Sequence, residues 1–180
     1  PHPLTTADAD AGPGQAALLR LEAVRQRLAA HARSGAHAGL TGADPRTGER
    51  WDAGQVWAHL AEFPAYWVGQ FQRLGAAGAS GGAEPPPFGR TAADPGRIAA
   101  IERDRAVDPA ALHARVDDGI RAAETWLGAL PSAGWALTGR HPTLGVMVLP
   151  AMVQRFLVDH LEEHAAQLDD LARPPDPAGA

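Results

Sequence analysis

The sequence of 180 residues contains no cysteine. This absence excludes disulfides, a cysteine nucleophile and cysteine-based zinc sites, so histidine, aspartate and glutamate remain as the metal-binding side chains. Lysine and asparagine are also absent, and all 16 basic residues are arginine, a bias typical of a GC-rich genome. The formal net charge of −5 argues against nucleic acid as a partner.

Long apolar runs are missing as well. No run approaches the roughly 20 residues that a membrane-spanning helix needs. The first residues lack the basic-then-apolar pattern of a secretion signal. We therefore expect a cytoplasmic protein with neither a membrane nor a nucleic-acid partner.

The length favours one domain with a substantial core. Residues 1–14 mix Pro, Gly, Asp and Ala without periodicity, which predicts a loose N-terminal arm. A single domain is expected over residues 15–173. Residues 174–180 begin with two prolines and predict a C-terminal tail after the last helix.

Apolar residues at helical spacing predict four long helices. The first covers about residues 15–33. The second begins near Trp51, with Asp52 as N-cap and a possible capping box. The third follows the cap residue Asp108, and the last is opened by Pro150.

Two long connections join these helices. Residues 75–87 are rich in Gly, Ala and Pro and predict a flexible surface link, and residues 131–149 form the second link. A short helix is expected at residues 95–103, and no strand alternation of any length is present. Four long helices with two long crossings predict an all-α four-helix bundle.

The last helix carries the most informative stretch, VQRFLVDHLEEHAAQLDDL, which runs from Val153 to Leu171. At 100° per residue its apolar stripe includes His160 and His164, which therefore point inward. Two imidazoles four residues apart on a helix can converge on one ion. They form half of a metal site, because a catalytic zinc-like centre takes three protein ligands and leaves a position open.

A third inward-facing histidine lies on the second helix. His59 falls in the middle of an apolar stripe that includes Val56 and Phe63. A single histidine on an apolar face is more often a hydrogen-bonded core residue than a ligand. Its position nevertheless supplies what the half-site lacks.

Arginines cluster between the second and third long helices, at Arg90, Arg97, Arg103 and Arg105. A guanidinium group matches a carboxylate in shape and charge, so these residues could hold an anionic substrate. The alternative is a solvated charged face.

Two blocks carry a family resemblance. WDAGQVWAHLAE contains Trp51 and His59, and HPTLGVMVLPAMVQRFLVDHLEEHAAQL contains His141, His160 and His164. Together they resemble the two signatures of the DinB/YfiT-like superfamily over roughly residues 15–172. The resemblance implies a four-helix bundle with long crossover connections, whose second helix supplies one histidine and whose fourth supplies two. It implies that His59, His160 and His164 bind a divalent metal, with zinc or nickel as the expected ion.

The same resemblance implies an activity. Characterised members are thiol-dependent transferases or isomerases that use bacillithiol, mycothiol or glutathione-like cofactors, and related domains occur in maleylpyruvate isomerase. The GC-rich composition favours mycothiol by association. A small-molecule substrate is then expected.

Further residues are candidates for supporting roles. Glu62 and Glu163 flank the histidines and could accept the remaining ring N–H groups, although each could equally be an exposed helix residue. Tyr66 could donate to a substrate oxygen or be a core tyrosine. The predicted substrate pocket consists of Tyr66, Trp67, Arg90, Arg97 and His141. Trp57 and Phe71 could serve a homodimer as well as a core.

Three hypotheses follow from these residues. The first is a metal-dependent thiol S-transferase or isomerase. The second is a protein that binds metal or a small ligand for regulation or stress response without turnover. In the third, the histidines are structural and hold no metal.

Overall fold

The computed structural model describes residues 13–35, 37–45, 48–81 and 84–173. Residues 1–12 of the predicted arm and the whole predicted tail lie outside this part of the chain. The first helix begins at Pro13, two residues earlier than predicted. Proline is favoured in a first helical turn, because its missing N–H would have no partner there.

The helical elements are α1 (Pro13–Ser34), α2 (Ala53–Ala79), α3 (Pro95–Asp104), α4 (Pro109–Gly128), α5 (Leu149–Val153) and α6 (Asp159–Ala172). A π-helical turn, Gln154–Val158, joins α5 to α6, so these three segments form one continuous rod. Helices α1 and α2 each pack against both α4 and α6, and α3 packs on the outside of α2. The predicted all-α four-helix bundle is confirmed.

The core lies between the four rods. Fully buried side chains come from each of them: Leu21 and Leu28, Trp57, Leu60 and Phe71, Leu112 and Ile120, and Met152 and Leu157. Trp57 and Phe71 are 1% and 0% exposed, so they belong to the core and do not offer a surface to a second copy. Burial of these apolar side chains is the main force that holds the helices together.

Two predicted helix starts are confirmed. Asp52 Oδ1 accepts from the Gln55 amide at 2.8 Å, and Gln55 Oε1 accepts from the Asp52 amide at 3.1 Å, which completes the capping box. Asp108 caps α4 by accepting from the Ala110 amide at 2.9 Å. Each cap satisfies an amide that the helix itself leaves without a partner.

The predicted flexible link at residues 75–87 is wrong in its first part, because α2 continues to Ala79. Ala76 and Ala77 have the highest helix propensity of any residue type. Leu137, from the second connection, also packs on the backbone at Gly78. Tertiary packing thus extends a helix that the glycines in this stretch argued against.

A short hairpin corrects the expectation that the chain contains no strands. Strands β1 (Thr138–His141) and β2 (Gly145–Val148) pair antiparallel. On the other side of β1, Arg140 donates to the Pro86 carbonyl at 2.8 Å and accepts from the Phe88 amide at 3.0 Å. Four-residue strands are too short to show a clear alternation, and residues 86–88, which pair with the other side of β1, lie far from it in sequence. The hairpin ties residues 86–90 to the bundle.

The last rod also differs from the uniform helix that the sequence predicts. The π-helical turn Gln154–Val158 ends one residue before Asp159, where α6 begins. A π-helical turn holds an extra residue and rotates the segments on either side of it. Val158, Leu161 and Ala165 are buried, although a uniform 100° stripe leaves them out. The buried face is therefore wider than predicted.

Candidate metal centre

Three imidazole rings meet between α2 and α6. His59 is 1% exposed in the middle of α2, and His160 and His164 lie on consecutive turns of α6. Their ligand-type nitrogens all lie within 4.8 Å of one another. Nε2 of His160 is 2.9 Å from Nε2 of His59 and 2.9 Å from Nε2 of His164. The structure thus brings together the three histidines that the sequence singled out.

The rings of His59 and His164 are oriented by hydrogen bonds from their other nitrogens. Nδ1 of His59 donates to Glu62 Oε1 at 2.8 Å, and Nδ1 of His164 donates to Gln167 Oε1 at 2.8 Å. Acceptors of this kind select the ring form whose Nε2 carries a lone pair.

Gln167 was not among the predicted site residues, although a signal for it was present. It follows His164 by three residues, as Glu62 follows His59 and Glu163 follows His160. All three residues follow a histidine at the same spacing, but Glu62 and Glu163 differ in the exposure of their side chains. The side chain of Glu163 is 71% exposed and lies 3.7 Å from Nδ1 of His160, so its contact is long and solvated.

The donor set fits a divalent cation. Two lone pairs, on Nε2 of His59 and of His164, face Nε2 of His160. One imidazole nitrogen carries either one hydrogen or one lone pair, so His160 cannot form two well-directed hydrogen bonds here. A cation between the rings would take up all three lone pairs. Tetrahedral zinc with Zn–N bonds of about 2.0–2.1 Å needs nitrogens roughly 3.3 Å apart. The two contacts of His160 would lengthen by a few tenths of an ångström, and the nitrogens of His59 and His164, which lie within 4.8 Å of each other, would take the same separation.

Burial keeps His59 and His164 neutral. It lowers the pKa of His59 well below its usual range, and electrostatic repulsion from His164, Arg97 and Arg90 would act in the same direction. Burial lowers the pKa of His164 to about 4. Neutral imidazole is the form that ligates a metal, so the two rings need not lose a proton near neutral pH.

Comparisons with known proteins agree with this architecture. No protein-family model matches the sequence, and no curated protein matches it. A solved structure, YfiT from Bacillus subtilis, is similar with a TM-score of 0.67 over 96% of this chain and 91% of that chain. The chain has the YfiT fold. YfiT is described as a probable metal-dependent hydrolase with an unusual four-helix bundle topology, and at 20% identity the likeness shows the fold alone. It confirms the four-helix-bundle fold that the sequence resemblance implies.

Aromatic rings line the centre of this YfiT-like bundle. The Trp51 ring lies parallel to His164, with an interplanar angle of 1° and centroids 5.8 Å apart. Phe63 stacks on His160 with centroids 4.1 Å apart. These two residues were not predicted as site residues, although Trp51 lies in the family block and Phe63 on the inner stripe of α2. They limit rotation of the imidazoles they cover.

Arg90 supports Glu62. Its Nη2 donates to both carboxylate oxygens of Glu62, at 2.7 and 2.6 Å. Its guanidinium lies 3.8 Å from the centroid of the Tyr66 ring. Burial raises the pKa of Glu62, and the hydrogen bond from Arg90 opposes that rise. Arg90 and Tyr66, both predicted pocket residues, thus lie beside the centre.

His141 and Trp67 take part in a different way from the one predicted. Both are buried, and both stack on Phe156, with centroids 5.0 and 4.5 Å away. Nε2 of His141 donates to the Arg90 carbonyl at 3.2 Å. In the YfiT-like bundle these two residues form a wall behind Arg90. They are placed to position the segment that carries Arg90.

Gly89 allows this close packing. Its φ of +79° is in the left-handed region, and a Cβ atom there would lie 2.7 Å from His141 Cδ2. A side chain at this position would be strained and would push the segment away from His141 and Trp67.

Trp67 Nε1 is buried without a hydrogen-bond partner among the described residues.

None of the helices in the described part of the chain has the length and apolar character needed to cross a bilayer.

Proposed function

We propose that the protein is a divalent-metal-dependent enzyme in which His59, His160 and His164 hold the ion. We further propose that its nucleophile is a low-molecular-weight thiol of the mycothiol type, so that the protein acts as a thiol S-transferase or isomerase. The observation that carries the proposal is the meeting of three Nε2 atoms at contacts that hydrogen bonds alone do not satisfy.

The surrounding residues suit a preorganised centre. Glu62 and Gln167 hold two of the rings with their lone pairs inward. When bound, a divalent ion supplies the Lewis acidity that lowers the pKa of a coordinated thiol or water. The side chain of His160 is 29% exposed, so the centre is open to solvent on that side. A small molecule could approach there.

The proposed thiol chemistry is either a substitution or an isomerisation. In substitution, the thiol sulfur forms a bond to an electrophilic carbon, and the bond from that carbon to its leaving group breaks. The thiol proton and the leaving group depart together as the conjugate acid. In isomerisation, the thiol adds to a double bond, the adduct rotates about the resulting single bond, and the thiol is then eliminated unchanged.

Hydrolysis is a second candidate, and one observation favours it. YfiT, whose fold this chain shares, is described as a probable metal-dependent hydrolase. In that case the oxygen of water forms the new bond to carbon, the bond to the leaving group breaks, and the leaving group takes up a proton. The same three histidines and the same orienting acceptors would serve this reaction.

The first experiment is elemental analysis of protein purified without a polyhistidine tag. We expect about one equivalent of divalent metal in the wild-type protein and loss of that metal in His160→Ala. His37→Ala is the matched control, because His37 lies outside the cluster and contacts Ser34 and His31. A wild-type protein that holds no metal, even after incubation with zinc or nickel, would refute the proposal.

The second experiment separates the reactions. Metal-loaded protein is incubated with monochlorobimane and mycothiol, bacillithiol or glutathione, and in parallel with 4-nitrophenyl acetate. Thiol-dependent bimane conjugation that His160→Ala abolishes supports the S-transferase. Ester cleavage without conjugation supports the hydrolase. Bound metal without either turnover across a wider panel would favour a binding protein without catalytic activity.

A further inference from the structure

A second arginine, Arg97, lies at the edge of the metal centre. It is in the first turn of α3, where its amide donates to the capping carboxylate of Asp94 at 2.8 Å. Its guanidinium lies 5.2 Å from the centroid of the Trp51 ring. The same Trp51 ring is stacked parallel to His164 and lies 5.4 Å from His59. The Trp51 indole therefore lies near both the Arg97 guanidinium and the imidazoles of His59 and His164.

Arg97 differs from Arg90 in how its charge is balanced. Arg90 makes two hydrogen bonds to the carboxylate of Glu62, so this pair carries no net charge. Arg97 donates through Nη1 to the Ala92 carbonyl at 3.0 Å, and this uncharged acceptor does not neutralise the guanidinium. Within the described residues, carboxylates influence Arg97 through space without a hydrogen bond to its guanidinium. Its positive charge is therefore available to a ligand.

Burial makes this arrangement costly. It lowers the pKa of Arg97, which shows that the surroundings disfavour the charged form. The carboxylates of Glu49, Glu62 and Asp94 oppose this shift through space, but an anion at hydrogen-bond distance would offset more of the lost hydration. A second effect acts in the same direction. Three neutral imidazoles leave the charge of a bound divalent ion uncompensated, so the centre is positive in a chain of net charge −5.

We propose that Arg97 binds a carboxylate group of the substrate, so that the centre acts on anionic, carboxylate-bearing small molecules. The planar guanidinium offers two parallel N–H donors to the two oxygens of a carboxylate. This geometry would place the carboxylate of the substrate beside the Trp51 edge of the histidine cluster. This inference rests on the proposed function, because the ligand is a substrate only if the protein is an enzyme. Anion binding at Arg97 can nevertheless be measured on its own.

The test compares two ligands of nearly the same shape. Benzoate and benzamide are titrated into the full-length protein by calorimetry, in the metal-loaded form and after treatment with a chelator. We expect benzoate to bind at least about tenfold more tightly than benzamide in both forms, because only benzoate can pair with a guanidinium. Persistence after chelation separates binding at Arg97 from binding to the ion.

Three variants complete the test. Arg97→Gln should lose about tenfold or more of the benzoate affinity and leave benzamide unchanged. Arg97→Lys, which keeps the charge without the planar fork, should lose less. The matched control is Arg121→Gln, because Arg121 is 60% exposed on α4 and pairs with Asp117. This control should bind benzoate as the wild-type protein does.

Several outcomes would overturn the inference. Benzoate that binds no better than benzamide, or not at all, excludes a carboxylate site. Equal benzoate affinity in wild type and in folded Arg97→Gln places the site elsewhere. If circular dichroism shows that the glutamine variant is unfolded, Arg97→Lys is compared with wild type instead, and equal affinity again places the site elsewhere. Metal content is measured alongside. If the protein prefers benzoate to benzamide but never binds metal, the proposed function is refuted and this inference stands. If the protein binds metal but does not prefer benzoate, this inference is refuted and the proposed function stands.

Discussion

Glu62 accepts a hydrogen bond of 2.8 Å from Nδ1 of His59, one turn away on α2. Glu62 and His59 are both buried, with 9% and 2% of their side chains exposed. The carboxylate fixes the ring form of His59 and neutralises the charge of Arg90 beside a site for a cation. Its contribution to metal binding should therefore be large for a residue that does not itself ligate the ion.

Glu62→Gln should lower zinc affinity by about 10- to 100-fold, because glutamine can still accept the Nδ1 hydrogen but no longer neutralises Arg90 beside the ion. Competition with a chromophoric chelator measures this affinity. Glu163→Gln is the comparison at the same i,i+3 spacing. Since Glu163 is 71% exposed, we expect a loss of less than about threefold for it. Equal losses in the two variants would contradict the assigned role of Glu62.

Metal removal should lower thermal stability. A ligand that binds only the folded state at 100 times its dissociation constant stabilises that state by about 2.7 kcal/mol, which corresponds to roughly 5–10 °C in a chain of this size. We expect EDTA to remove this increment and zinc to restore it, measured by calorimetry. His160→Ala should show no response to either treatment. A wild-type melting temperature that ignores both would indicate histidines without a metal.

Asp104 should make stability depend on pH in the acid range. Hydrogen bonds from Arg103 and Arg115 to its carboxylate, at 2.8 and 2.7 Å, lower its pKa from 3.8 to about 2. Because the folded-state pKa is the lower one, the stabilisation is fully present above about pH 4 and is lost as the pH falls toward 2.

Asp104→Asn should accordingly cost about 1 kcal/mol at neutral pH, a modest value because both arginine partners are substantially exposed. The difference from wild type should shrink between pH 4 and pH 2. Urea denaturation at several pH values measures it. A difference that stays constant across this range would show that the ion pairs do not stabilise the fold.

Gly119 should be required where α4 crosses α2. A Cβ atom there would lie 2.8 Å from Pro64 Cβ and 3.3 Å from the Ala65 nitrogen. Gly119→Ala should therefore destabilise the protein by about 1–3 kcal/mol through overpacking. Gly128→Ala is the control on the same helix, because nothing lies within 4 Å of its added Cβ. It should be neutral or slightly stabilising, and chemical denaturation of both variants tests the contrast.

Much of the fold could be predicted because its signals are local. The capping box of α2 and the apolar spacing that places His59, His160 and His164 on inward faces depend on residues within one or two turns. The hairpin and the π-helical turn could not be predicted in this way. Strands of four residues show little pattern, and the hairpin is held by pairing between Arg140 and residues 86–88.

The site divides along the same line. The sequence by itself determined which three imidazoles face inward, since the helical period and the apolar neighbours settle that question. Only the tertiary structure decided that His59 meets a histidine 101 residues away at 2.9 Å, because contact depends on how two helices rotate and pack. It also decided that Gln167 rather than Glu163 makes the close contact to a ring, and that Arg90 rather than Arg97 donates to a carboxylate among the described residues. Burial and pairing of a polar side chain are set by elements distant in sequence, which no local pattern records.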